Sequence, residues 1–456
     1  MSILKKGKKK SRRIIIAALV GFCVTLSLFT QANGEVSESG VKCRVEIDRA
    51  ILPAGVNQKA IVKITLDAPP PPEESLRPAV NLAIVLDRSG SMAGQKLERA
   101  KDAAIEALRH LGPMDMFSVV VYDHNVSTVV SAQRATNIER IEGRIRQIRS
   151  GGNTALFGGV SQGAAEVRKN LGGNYVHRII LLSDGLANVG PSSPEDLGRL
   201  GVALIKESIS VTTVGVGTDY NEDLMTRLSQ SSDGNTYFVE SSRDLPRIFT
   251  AELGDVLSVV AKKVHIIIEC PGGVRPLNII GREGRIKGRM VELSFNQLYG
   301  SQEKYVLIEV EIPEGKSGDK KDIAYVNVSY ENPFTQKKET SYGRAYASFS
   351  KDRIKVKKSA NISVQKEYYF NLNAISQDKA ISLSDKGKKS EAVAELKKSA
   401  DKLREVGQEY NDEELLKRAE EMEVQAGRIE KEGMTKKYRK VLRTDSYQMK
   451  NQQMNK

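Results

Sequence analysis

Histidine is scarce in this chain, and what there is lies scattered. The four residues, His110, His124, His177 and His265, fall at no spacing suited to a zinc site. Each reads as an ordinary helix-end or strand residue. Basic stretches lack the interleaved aromatics that stacking on bases requires, which argues against a nucleic-acid partner. Gly215-Val216-Gly217 has the setting of neither a dinucleotide-binding strand–GxGxxG–helix nor a P-loop. Long apolar runs are few as well. The run "IIIAALVGFCVTLSLF", residues 14–29, has 16 residues where a membrane-spanning helix takes roughly 20.

That run follows "MSILKKGKKKSRR" and precedes the small residue Ala32. A basic start, a short apolar core and a small residue read as an export signal over residues 1–32, cleaved near Ala32. Left uncleaved, the same segment would anchor the chain to a membrane. The protein is therefore expected to be exported, either periplasmic or secreted, or else tethered to the cell membrane through this segment. A lipoprotein is not expected, because Cys23 sits in the middle of the apolar core. Seven Lys and Arg and no acid lie in residues 1–32, so more than half of the net charge of +13 belongs to that segment. The high isoelectric point is thus no sign of a nucleic-acid binder. Of the three cysteines, Cys43 and Cys270 remain beyond the signal. Both fall on predicted strands flanking one central segment, so a Cys43–Cys270 disulfide and two separate buried thiols are both open readings in an oxidising compartment. The basic tail "MTKKYRKVLR", 434–443, reads as a solvated helix end.

Residues 79–260 alternate apolar runs with amphipathic helices. The runs are "AVNLAIVLD", "MFSVVVYD", "STVVSAQ", "VHRIILLSD", "ISVTTVGVG" and "NTYFVE", several of them nearly continuous in apolar or β-branched residues, as strands buried on both faces are. Leu97, Ala100, Ala104, Leu108 and Leu111 form one stripe of a helix between the first two. Such alternation predicts an α/β fold with a doubly wound, mainly parallel sheet. On either side, 35–78 and 261–352 alternate as antiparallel strands do. They are expected to assemble into one β-sandwich with the α/β domain inserted between its two parts. From 358 to 456 the pattern is a helical hairpin, with Val393, Leu396, Ala400 and Leu403 facing Leu415, Ala419, Met422 and Ala426, followed by the basic tail.

The chemistry is concentrated in "VLDRSGSMAGQ", residues 85–95. Asp87 ends the first predicted strand, and the turn after it supplies Ser89 and Ser91. Two other stretches aim oxygens at the same place in a doubly wound sheet, the carboxyl ends of its central strands. "SGGNTALFGG" carries Thr154 and "LLSDG" carries Asp184. Two carboxylates and three hydroxyls suit a hard divalent cation, Mg²⁺ first and Mn²⁺ next. Simpler roles exist for each residue: Ser89 and Ser91 could cap a turn, Thr154 could N-cap its helix, and Asp184 could serve an Asp-Gly turn. Asp87 is the hardest to explain so, because a carboxylate ending so apolar a strand needs a partner. Arg88 is expected to point outward.

Asp87-x-Ser89-Gly90-Ser91, Thr154 and Asp184 resemble the metal-ion-dependent adhesion site of von Willebrand factor type A domains. "VGVGTDYNEDLMTRLSQSSDGNTYFVE" is similar to the later part of that domain in bacterial secreted members and their inter-alpha-trypsin-inhibitor-heavy-chain-like relatives. The resemblance implies a non-enzymatic binding module, used for adhesion or scaffolding, whose metal coordinates an Asp or Glu carboxylate of a protein partner. "MAGQ" after Ser91 has no acidic pair, so a second adjacent calcium site is not implied. Two other classes remain: a metal-assisted hydrolase or phosphatase, for which no nucleophile–base pair is visible, and a partner-recruiting subunit of an ATP-driven assembly machine, against which the export signal argues.

Overall fold

The computed structural model describes residues 40–71 and 77–453. The expected export signal, Cys23 included, lies outside them. No helix among the described residues is long and apolar enough to cross a membrane.

The chain begins with three strands, β1 (Lys42–Ile47), β2 (Ile51–Pro53) and β3 (Gln58–Asp67). It then enters the α/β unit: β4 (Ala79–Asp87), α1 (Gln95–Arg109), β5 (Met116–Tyr122), β6 (Val126–Arg134), α2 (Ile138–Arg146), α3 (Leu156–Arg168), β7 (Tyr175–Ser183), α4 (Pro194–Lys206), β8 (Ile209–Val216), α5 (Glu222–Ser231), β9 (Thr236–Val239) and α6 (Leu245–Leu257). The sheet order is β6-β5-β4-β7-β8-β9. Every neighbouring pair is parallel except β5 with β6. Alternate residues of β4 serve opposite faces. Leu82, Ile84 and Leu86 pack beneath α1 and α6, while Ala83 and Val85 pack beneath α3. The polar side chain inside β4, Asn81, donates to Val167 C=O (2.8 Å), and from there the strand runs apolar to its last residue, Asp87.

Seven strands follow: β10 (Val259–Glu269), β11 (Arg275–Ile280), β12 (Arg285–Lys287), β13 (Met290–Tyr299), β14 (Glu303–Ile312), β15 (Lys320–Glu331) and β16 (Lys338–Ser350). They join the first three in two sheets, β1-β3-β14-β11 and β12-β13-β10-β15-β16-β2. β3 pairs with β14 from Gln58↔Ile312 to Asp67↔Glu303, so the early segment is a central strand of a sheet completed some 240 residues later. Val62, Ile64 and Leu66 meet Ile266 and Ile268 in one apolar core between the sheets. The α/β unit is thus inserted into a β-sandwich. Its entry and exit are fastened at one turn, where Ser301 N–H donates to Pro69 C=O (2.9 Å) and Gly300 N–H to Ser258 C=O (2.7 Å).

Cys43 and Cys270 are free thiols, so the structure excludes the disulfide reading. Cys43 packs against Gly343 of β16 from the facing sheet. Cys270 follows Glu269, which pairs with Tyr325, which in turn pairs with Arg344. Two strand spacings, about 10 Å, therefore separate Cys270 from that contact, too far for a bond. Burial pushes both thiols up, Cys43 to about 12 and Cys270 to about 11.

The C-terminal region exceeds the expected hairpin. After α7 (Arg353–Lys358) come four long helices, α8 (Ile362–Asp385), α9 (Lys389–Tyr410), α10 (Glu413–Glu432) and α11 (Lys436–Asn451), around a shared core of Ile381, Leu396, Leu403, Met422 and Leu442. The basic tail is not a solvated helix end. It forms α11, whose Arg439 and Lys440 pair with Glu222 and whose Arg443 pairs with Asp223, both at the start of α5. Lys440 is buried in that contact. A cationic stretch that reads as solvent-facing is here bound to acids more than 200 residues upstream.

Candidate functional site at the carboxyl edge of the parallel sheet

β4 and β7 lie side by side where the strand order reverses, with β5 on one flank and β8 on the other. A crevice opens at such a point, outside the carboxyl ends of the two strands. Asp87 is the last residue of β4 and Asp184 directly follows β7; both are fully buried. Asp87 accepts the Ser89 N–H on Oδ1 (2.8 Å) and the Ser183 hydroxyl on Oδ2 (2.7 Å). Asp184 accepts the Ser91 hydroxyl on Oδ1 (2.7 Å) and the Lys96 ammonium on Oδ2 (2.5 Å). The Ser89 and Ser91 hydroxyls stand 3.0 Å apart. Between them begins a single 3₁₀ turn, Gly90–Met92, anchored by the buried Met92.

Thr154 arrives on a loop tied to both strand ends. Its N–H donates to Asn188 Oδ1 (2.8 Å), and its C=O accepts from the Asn188 N–H (3.1 Å). Gly90 N–H donates to Gly152 C=O (3.1 Å) and Gly151 N–H to Arg88 C=O (2.8 Å). Gly152 has φ +68°, and a Cβ there would come within 2.0 Å of the His124 ring, so both backbone and space demand glycine. The simpler roles of Ser89 and Thr154 fail. Ser89 makes no side-chain cap to the turn, and α3 is preceded by Ala155 without a side-chain cap.

Gly185 shows how closely the groups converge. A Cβ at that position would lie 3.3 Å from Ser91 Oγ, 3.3 Å from Thr154 Oγ1 and 3.9 Å from Ser89 Oγ. Three hydroxyls from two loops thus surround one point beside Asp184, at a place that a side chain would fill. Asp87, Ser89, Ser91, Thr154 and Asp184 are brought together. Arg88 does not point outward: it is three-quarters buried with Nε 3.1 Å from Asp123 Oδ2.

Burial pushes the Asp87 carboxyl up, against the bonds from Ser89 and Ser183, and the neighbouring Asp184 adds to the rise. Burial, with Asp87 second, also pushes the Tyr122 hydroxyl well above its ordinary range; that hydroxyl donates to Leu182 C=O (3.1 Å). A cation in the crevice would offset this cost of ionising Asp87. The set fits a hard cation, with hydroxyls in front, carboxylates behind them, and room at Gly185. Among the described residues no group of three or more His, Cys, Asp or Glu could hold a metal ion.

Sequence reasoning missed Ser183, Asn188 and Lys96. Ser183 carried a signal, since it adjoins Asp184 in "LLSDG" and ends an apolar strand as Asp87 does. Asn188 acts through loop geometry and Lys96 from the first turn of α1, and neither carried a signal.

Residues 81–251 match the model of the von Willebrand factor type A domain, and the chain contains one. An uncharacterized protein of Synechocystis is 27% identical over 264 residues, 56% of this chain and 62% of that protein. Inter-alpha-trypsin inhibitor heavy chain H2 of Mesocricetus auratus is 31% identical over 173 residues, 36% of this chain and 18% of that one. The chain thus spans less than two thirds of either relative's length. A solved von Willebrand factor type A structure from Catenulispora acidiphila shares the fold, with TM-score 0.66, 19% identity, and coverage of 85% of this chain and 91% of the other. That coverage takes the likeness well beyond the inserted domain.

Proposed function

We propose that this protein is an extracytoplasmic binding module that holds Mg²⁺ through Asp87, Ser89, Ser91, Thr154 and Asp184 and uses the ion to grip a carboxylate of a protein partner. The observation that carries this reading is the convergence of three hydroxyls at Gly185, backed by two buried carboxylates. Hydroxyl oxygens are neutral ligands, so a set in which they lead neutralises a divalent ion incompletely and leaves it attractive to an outside acid. Mg²⁺ and Mn²⁺ are the hard cations that favour such oxygens. The ion would supply Lewis acidity towards the partner's carboxylate. The protein's own groups orient the cage: Ser183 and the Ser89 N–H fix Asp87, and Asn188 fixes Thr154.

No chemical turnover is part of this reading. The basic, then apolar, start of the chain supports display outside the cytoplasm, in the cell envelope or beyond.

The test is a pull-down from envelope fractions of the source cell, with Mg²⁺ or with EDTA, using the wild-type chain and Asp87→Ala. A partner retained in Mg²⁺ and released by EDTA is the expected result. Retention that ignores the chelator, or survives Asp87→Ala unchanged, contradicts the reading.

A further inference from the structure

The five oxygen side chains leave Lys96 without a role. It is the second residue of α1, where the positive end of the helix dipole disfavours a cation. Its ammonium is held there by Asp184, 2.5 Å away; the lysine side chain is 37% exposed and the carboxylate not at all. The other Asp184 oxygen is taken by Ser91. Lys96 therefore supplies a unit positive charge at the mouth of the crevice where a divalent ion is read to sit.

A second acid lies within electrostatic reach of the same ammonium, on the loop after β8, the strand beside β7. Asp219 lies on the exposed loop between β8 and α5, and Lys436 at the start of α11 donates to it at 2.9 Å. The hydrogen bond from Lys436 holds the Asp219 carboxyl below its usual range, and Lys96 and Lys440 add to that from nearby. Lys96 thus touches one carboxylate inside the crevice and feels a second one outside it. The second acid is already tied to the C-terminal helices.

We infer that Lys96 is a displaceable internal cation. It neutralises Asp184 until a divalent ion claims that carboxylate, and it then turns to Asp219, linking the metal site to Lys436 of α11. The inference rests on the metal reading above. Two cations on one carboxylate repel strongly in a crevice of reduced dielectric, so the ion must evict the ammonium or share its acid with it. In either case the lysine sets how tightly the ion is held.

The experiment is Mn²⁺ binding, followed by the electron paramagnetic resonance of free Mn²⁺, to the full chain and to Lys96→Met, Asp219→Asn and the double variant. Lys96 is partly exposed and methionine is a good helix former, so Lys96→Met should fold, and metal-free thermal unfolding verifies that. Lys96→Met is expected to tighten Mn²⁺ binding about tenfold. Asp219→Asn is expected to weaken it several-fold in the wild-type background and to do little once Lys96 is gone. Equal or weaker binding by Lys96→Met overturns the role of the lysine while leaving the metal reading intact. An Asp219→Asn effect of the same size in both backgrounds overturns the transfer to Asp219. No Mn²⁺ binding by any of the four proteins overturns the metal reading and this inference with it.

Discussion

The two ends of strand β7 treat polar groups in opposite ways. At its carboxyl end Asp184 and its neighbours face a crevice, and Ser91 is exposed. Six residues earlier, about 20 Å along the strand, Arg178 is fully buried in a closed polar cluster. It donates to Gln297 Oε1 and to the Tyr299 hydroxyl, both at 2.7 Å, and to Thr212 Oγ1 at 3.2 Å. Glu252 of α6, equally buried, lies 3.5 Å from the guanidinium. It accepts from Thr212 (2.5 Å), Asn235 (2.8 Å) and Tyr237 (3.1 Å). One end has hydroxyls gathered around an open point; at the other, charges are matched inside the fold. A closed network of this kind joins the α/β sheet, its last helix and strand β13 of the sandwich. The difference separates architecture from function: the closed end fixes how the domain sits on the sandwich, and the open end is free to take a ligand.

Variants can break that contrast. The largest expected effect is at the closed end. Arg178→Ala leaves Glu252 buried without its countercharge and should cost about 3–5 kcal/mol of stability, read by denaturant unfolding; a loss under about 1 kcal/mol would mean that water enters and the network is not closed. Next is acid. Burial, helped by Lys262 and Lys263, lowers His177 from 6.5 to about 4, and its Nδ1 lies 3.2 Å from the Asn81 amide. The unfolded chain binds the proton more readily, so stability is intact above pH 6.5 and is lost as pH falls from there towards 4. The loss should be about 3 kcal/mol, and His177→Asn should flatten that part of the profile. An unchanged slope in the variant would assign the acid loss to other groups.

The open end should respond the other way. Gly185→Ala places a methyl group among the three hydroxyls. It is expected to weaken Mg²⁺ binding by about tenfold, near 1.4 kcal/mol, while unfolding free energy moves by less than about 1 kcal/mol. Equal metal affinity with lowered stability would put the ion elsewhere.

Much of this was legible in the sequence, for identifiable reasons. β4 and β7 announce themselves because strands buried on both faces are largely apolar, Asn81, His177 and Arg178 being exceptions, so Asp87 and Asp184 stand out at their ends. The insertion of the α/β unit in a sandwich followed from two flanking segments with the same period-2 texture. What was hidden depends on contacts between distant residues. The acids that bind Arg439 and Arg443 lie at Glu222 and Asp223, so the basic tail read as solvated. Arg88 looked outward because its partner, Asp123, follows a different strand, β5. Cys43 and Cys270 shared a texture and a core, yet strand order keeps them apart.

Isothermal titration of Mg²⁺ into the wild-type chain and into Asp87→Ala tests the central claim most directly. One site per chain that disappears in the variant, with the fold retained, is the expected outcome. A wild-type chain that takes up no Mg²⁺, or a variant that binds as well as its parent, would contradict the account.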